Sequence, residues 1–143
     1  MSRRRRARKI ILDILYRLEI DDCQTEEAAD DYMDEAEEKG IRDFIMRVVD
    51  GIKTNEPEID AVIVKYADKW SLSRMPVLDR NILRIAVFEM LNEEDIPISV
   101  TINEAVEMAN TYSTDDSGRF VNGLLGNAAK HMKGLKIDAK EKD

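Results

Sequence analysis

The chain has 143 residues, 30 of them acidic and 22 basic, for a formal net charge of −8. That length suits one compact domain with its own core, and a hydrophobic share of 43% sets it apart from disordered chains. A single cysteine (Cys23) and a single histidine (His131) argue against an internal disulfide, a zinc site or a histidine-based nucleophilic triad, and no apolar run reaches the length of a membrane span.

The charge is laid out in blocks. Residues 1–17 carry seven basic side chains against one acid, whereas residues 18–38 carry eleven acids and no base. A basic block in an acidic chain points to a polyanion or an acidic partner at one place. The apolar run that follows it, IILDILYRL, is interrupted by Asp13 and Arg17 and has no small-residue cleavage site after it, so it reads as a helix and not as a signal peptide. A cytoplasmic protein is expected.

In this first helix Ile10, Ile11, Ile14, Leu15 and Leu18 share one face. Arg5, Lys9, Leu12 and Tyr16 form a second stripe, spaced so that cations and an aromatic ring lie together off the core face. Cations neutralise phosphates and an aromatic ring offers a platform to an unstacked base, a pairing that suits single-stranded nucleic acid. Alternatively, the arginines solvate the helix end and Tyr16 packs on a neighbouring helix. Cations at a helix N-terminus oppose the macrodipole, by about 0.3–1 kcal/mol each at exposed sites, and a docked anion would reverse that sign.

A weaker acidic helix follows at about 24–38, with Ala28, Ala29, Tyr32, Met33 and Ala36, and Gly40 is expected to break it. Ile41, Phe44, Ile45, Val48, Val49 and Ile52 then recur at clean helical spacing. Pro57, after Asn55 and Glu56, marks the start of a helix holding Ile59, Val62, Ile63, Tyr66 and Trp70. SLSRMP is a connector. VLDRNILRIAVFEML is apolar on more than one face, which places it at the centre of the core. Thr101 and Glu104 have capping-box spacing ahead of the next helix, and STDDS supplies N-caps for the last one. The total is about seven helices, no strand-like alternation and an all-α fold. One domain is expected over residues 1–133, with a polar, frayed tail over 134–143.

Gly118, Gly123 and Gly126 interrupt the last helical pattern, at a cost of about 1 kcal/mol each relative to alanine in a helix interior. Close helix–helix approach accounts for Gly123 and Gly126. Gly118, beside Arg119 and Phe120, with Asp116 and Asn122 nearby, would also suit a nucleotide. Phe120 falls on the apolar stripe of its helix too, so a core position competes with a stacking one. The chain contains no phosphate-cradling P-loop, dinucleotide fingerprint or EF-hand spacing. No enzyme, catalytic residue, metal site or cofactor is expected.

Four segments occur in a distinctive order: RRRAR followed by ILY, PVLDRNILRIAVFEML, IPISVTINEAVEMA, and DSGRFVNGLL. Together they resemble the NusB family of bacterial transcription antitermination factors, from about Arg3 to Met132. The resemblance implies seven helices in two small packed bundles. It also implies binding of a single-stranded boxA RNA element together with NusE, a ribosomal protein of the small subunit. Other Nus factors and RNA polymerase would be indirect partners, in support of ribosomal RNA operon transcription. The arginine-rich motif of the family matches Arg4, Arg5, Arg6 and Arg8, its RNA-facing tyrosine matches Tyr16, and its later acid, cation and phenylalanine match Asp116, Arg119 and Phe120. The acid facing NusE matches Asp79. With Lys9 and Asn122 from the spacing, these make up the expected interface. Gly126 departs from the family, where an acid is common.

Two alternatives stand beside this reading. The same helical fold forms the N-terminal domain of ribosomal RNA cytosine methyltransferases, which continue into a cofactor-binding domain absent from this sequence. A protein-only adaptor would use the acidic helix and leave the arginines idle.

Overall fold

The computed structural model describes residues 2–33, 39–68 and 70–142, with the backbone alone from residue 133 onward. Among them the chain forms seven α-helices: α1 (Arg3–Ile20), α2 (Thr25–Tyr32), α3 (Lys39–Thr54), α4 (Glu56–Tyr66), α5 (Val77–Asn92), α6 (Ile98–Tyr112) and α7 (Asp115–Lys142), with a 3₁₀ turn at Leu72–Arg74. The all-α reading holds. Ala36 lies outside the described residues. Gly40, expected as a helix break, sits in the first turn of α3. The backbone of α7 is helical to Lys142.

The helices form two groups that share α5. On one side α1 packs against α2 and α3, and both α1 and α3 lie on α5; on the other, α4, α6 and α7 pack against α5 and α7 runs along α6. This is why the α5 sequence is apolar almost all the way round. Ile82, Leu83, Ile85, Ala86, Val87, Phe88 and Met90 are all buried on different sides of it. Three polar residues of α5, Asp79, Asn81 and Glu89, are buried as well, and each must be partnered to offset its desolvation.

Glu89 is partnered by Arg8. The Arg8 guanidinium donates through Nε and Nη2 to the two carboxylate oxygens at 2.8 and 2.7 Å, with the two side chains 4% and 1% exposed. Burial alone would pull the Arg8 pKa down, and the hydrogen bonds and charge of Glu89 outweigh that and hold it above its ordinary value. The pair joins α1 to α5. Arg84, five residues before Glu89 on α5, makes a second fork to Asp60 of α4 at 2.9 and 3.0 Å. At the start of α5, Arg80 and Asn81 donate to Glu19 near the end of α1.

The helix ends show where local signals were read correctly and where they were not. Ser2 caps α1, its hydroxyl accepting from the Arg5 amide at 3.1 Å. Thr114 caps α7 by accepting from the Ser117 amide at 3.0 Å. The expected capping box at Thr101 and Glu104 is absent. The helix starts a turn earlier, at Ile98 after Pro97. Thr101 is therefore buried inside α6, and Glu104 faces α1. Pro in the N-cap position leaves the first turn free to begin there, since proline only restrains φ and removes a donor that has no helical partner anyway.

The glycines also differ from expectation. A β-carbon at Gly123 or Gly126 would meet nothing within 4 Å, so neither marks a close helix approach. Close approach occurs instead at Gly118, where a β-carbon would fall 1.9 Å from Asn110 Oδ1 of α6, and at Gly51 of α3, 2.2 Å from Phe88 Cε2 of α5.

Arg8→Ala should lower unfolding free energy by about 3–5 kcal/mol in denaturant titrations, because it strands a buried carboxylate. The double variant Arg8→Met with Glu89→Leu should recover most of that loss. Gly123→Ala should raise stability by up to about 1 kcal/mol, as helix propensity is gained with no clash.

Candidate nucleic-acid interface

The basic block divides on folding. Arg8 leaves the proposed interface: it lies inside, held by Glu89, because its position on α1 turns it towards α5. Leu12, placed on the cationic stripe by its spacing, is also buried. The apolar side of α1 is wider than the five residues that define it in sequence, since the helix packs on α2, α3 and α5 together. Tyr16 keeps its place off the core and is 43% exposed.

The remaining cations stay near the surface, but not idle. Arg5 forks onto Glu104 of α6 through Nε and Nη2 at 3.0 and 2.9 Å. That hydrogen bonding, against the opposing effect of burial and together with the charges of Arg5 and Arg8, holds the Glu104 carboxyl below the usual carboxylate range. Lys9 contacts Asp13 at 2.6 Å and lies 5.0 Å from the centre of the Tyr112 ring. Arg4 lies over the Phe44 ring, 4.8 Å from its centroid, with its nearest carboxylate contact to Asp95 at 3.6 Å. Arg6 is exposed. The surface is thus a lattice of cations with acidic neighbours, which sets their orientation and moderates their charge.

The first turn of α7 forms the other half. Asp79 is only 4% exposed, and its Oδ2 accepts from the Ser117 hydroxyl at 2.8 Å. Its other oxygen, Oδ1, is buried without a partner among the described residues. Asp79 lines a cavity of about 340 Å³ together with Trp70, Met75, Asp116, Ser117 and Phe120. Phe120 is half-buried, and Trp70 meets it edge-on with ring centres 6.4 Å apart. Asp68 adopts a left-handed φ of 59° at the end of α4, a conformation that aspartate tolerates, just before the exposed Trp70. Arg119 is exposed and paired with Asp116.

Asn122 stands apart from this cavity. Two residues further along α7 it is turned roughly 200° around the helix axis from Phe120, and it lines an open groove with Arg5, Asn103, Glu104 and Glu107. The cavity and the end of α1 converge on the first turn of α5. Asp79 is tied to α7 through Ser117, and Arg80 and Asn81 are tied to Glu19, three residues after Tyr16. Tyr16 and Phe120 therefore belong to helix ends gathered at one end of α5. Sequence reasoning missed Trp70, Met75 and Ser117. Trp70 was legible only as the last apolar residue of a helical stripe, although its helix ends at Tyr66.

Comparison with known proteins agrees with this architecture. The model of the NusB family matches residues 5–130. The transcription antitermination protein NusB of Acetivibrio thermocellus is 40% identical over 139 residues, covering 96% of this chain and 95% of that protein. The Thermotoga maritima protein of the same name is 51% identical over 92 residues, 64% of this chain and 65% of its own. Among solved structures, T. maritima NusB superposes with a TM-score of 0.85 at 40% identity, over 96% of this chain and 98% of that one. A crystal structure of antitermination factors NusB and NusE in complex with double-stranded RNA superposes with a TM-score of 0.81 at 26% identity, over 92% and 98%.

The Arg5–Glu104 contact gives a pH signature. A carboxylate with a depressed pKa contributes stability that is present above its unfolded pKa and is lost as pH falls through the folded one. The contact should therefore weaken only in acid, below the ordinary glutamate value of 4.5. Arg5→Ala should move the Glu104 carboxyl titration, followed by carbon NMR, upward towards that value.

Proposed function

Since the chain belongs to the NusB family, we propose that it is a transcription antitermination factor. In this reading it binds single-stranded, boxA-like RNA together with NusE and supports processive transcription of ribosomal RNA operons. Other Nus factors and RNA polymerase are its indirect partners. It works in the cytoplasm as a binding protein rather than an enzyme; among the described residues no helix is long and apolar enough to cross a membrane.

The observation that carries this reading is the cavity at the start of α7. It has two aromatic walls, Trp70 and Phe120, and a buried acceptor, Asp79 Oδ1, with no donor among the described residues. An unstacked base supplies what the cavity lacks, a flat π-face for the rings and an N–H edge for the carboxylate. Bases inside a duplex have both already engaged, which favours a single strand or an unpaired segment. The exposed Tyr16 offers a second platform, and Arg4, Arg5, Arg6, Lys9 and Arg119 supply cations for the phosphates. Arg8 is removed from that set by its burial. The NusE contact that the family resemblance assigns to Asp79 stands as part of the same proposal, with Asp79 4% exposed and bonded to Ser117.

Stacking is worth roughly 1–3 kcal/mol per base. Tyr16→Ala should therefore weaken binding of boxA-like RNA about tenfold, with little change in melting temperature and an unaltered salt dependence, since no charge is lost. Phe120→Ala should produce a comparable loss. Wild-type affinity in Phe120→Ala, measured on protein shown to be folded, would remove the cavity from the RNA site. Competition with the same sequence as a duplex checks the preference for unpaired RNA.

A further inference from the structure

A second groove, of about 570 Å³, opens between the N-terminal turns of α1 and α3. Phe44 of α3, itself 4% exposed, forms one wall. Two guanidinium groups lie over its ring: Arg4 Cζ is 4.8 Å and Arg47 Cζ 5.5 Å from the centroid. The ring thus brings two cations to one place, each with a carboxylate on its far side: Asp95 at 3.6 Å from Arg4 and Glu93 at 2.9 Å from Arg47. The groove is lined by Arg3, Arg4 and Arg47 and by no acid among the described residues. The open groove beside Asn122, in contrast, is lined by Glu104 and Glu107.

The donors are incompletely used. Arg47 turns Nε and Nη2 to Glu93, at 3.0 and 2.9 Å, while its side chain remains 54% exposed. Arg4 Nη1 is shielded from water and has no acceptor among the described residues. Gly40 and Ile41 bring the start of α3 to the same groove, adding the partial positive charge of a second helix end to that of α1. Contact with the ring holds both cations in position before any ligand arrives, which lowers the ordering cost of binding.

We propose that this groove seats an RNA phosphodiester, with Arg4 and Arg47 donating to its oxygens across Phe44. The proposal rests on the RNA-binding reading above and extends the RNA contact from α1 onto α3. A phosphate in the groove would lie beside both guanidiniums and add a second anion to each. Arginine suits the task because its planar fork matches phosphate oxygens. Contacts of this kind fix the position of the strand and carry no sequence information.

The test measures affinity for boxA-like RNA and for oligouridylate across a salt series, using wild type, Arg47→Gln, Arg47→Lys and Arg4→Gln. Arg47→Gln should weaken both RNAs several-fold by the same factor and flatten the log–log salt slope by about 0.7, the value for one phosphate on a single strand. Arg4→Gln should flatten it likewise, which guards against any local effect of leaving Glu93 without its partner. Arg47→Lys should keep the slope. An unchanged slope in Arg47→Gln, or a loss confined to boxA-like RNA, would overturn the proposal while leaving the RNA-binding reading intact, whatever Arg4→Gln does. Failure of the wild type to bind either RNA would overturn that reading, and this one with it.

Discussion

The buried pair of Arg8 and Glu89 is the constraint around which the two helix groups are arranged. Neither side chain could be taken from water alone, so α1 and α5 must meet in a register that brings guanidinium and carboxylate face to face. A slip of one helix past the other would separate the fork and disturb the buried apolar residues of both helices. The gain is therefore less in net energy than in selectivity among ways of docking two apolar helices, which hydrophobic contact alone discriminates poorly. Glu104 adds to the same arrangement, lying 3.9 Å from Arg8 while it accepts from Arg5. Through these contacts α1, α5 and α6 are located relative to one another by charge as well as by packing.

The chain thus divides its cations between two tasks. Arg8 and Arg84 are enclosed and locate helices, whereas Arg4, Arg5 and Lys9 stay near water and are oriented by single acidic neighbours. An exposed cation loses little by exchanging a solvated carboxylate for a phosphate, because the exposed pair was worth little to begin with. A net negative surface beyond this region disfavours indiscriminate attachment to polyanions, so binding is directed to the few places where arginines and rings come together. The acidic surroundings and the basic block act as one device.

Much of the fold was legible in the sequence because helical periodicity reports which faces are buried. The all-round apolar pattern of α5 marked it as central, and the structure buries it between two groups of helices. The role of Arg8 was not legible. Arginines 4, 5, 6 and 8 look alike in a run, and which one turns inward depends on the angle at which α1 meets α5, a tertiary quantity. The same limit explains Thr101 and Glu104. Their spacing satisfies a capping box, but Pro97 starts the helix a turn earlier and frees Glu104 to meet α1. Gly123 and Gly126 were assigned to close packing on their residue type alone, although a glycine reports close approach only when a neighbour is there. Tyr16 lies off the core, as its stripe predicts, and Phe120, which the pattern left open between core and surface, is half-buried; the cavity beside Phe120 needed Trp70 and the orphaned oxygen of Asp79, neither of which a linear pattern reveals.

Gly51 sets a mechanical property of the molecule. It lies one helical turn from Arg47 and two from Phe44 on α3, with Phe88 of α5 occupying the space that any β-carbon would need. The separation of these two helices is therefore fixed by the absence of a single carbon atom. A larger residue there would act as a wedge, prising α3 from α5 about a fulcrum near its middle. Because a helix is stiff, the displacement would grow along its length, as at the tip of a lever, and would swing the aromatic ring and its guanidinium out of line with the end of α1. The geometry of a charged surface is in this way governed by an uncharged contact in the interior, two helical turns away.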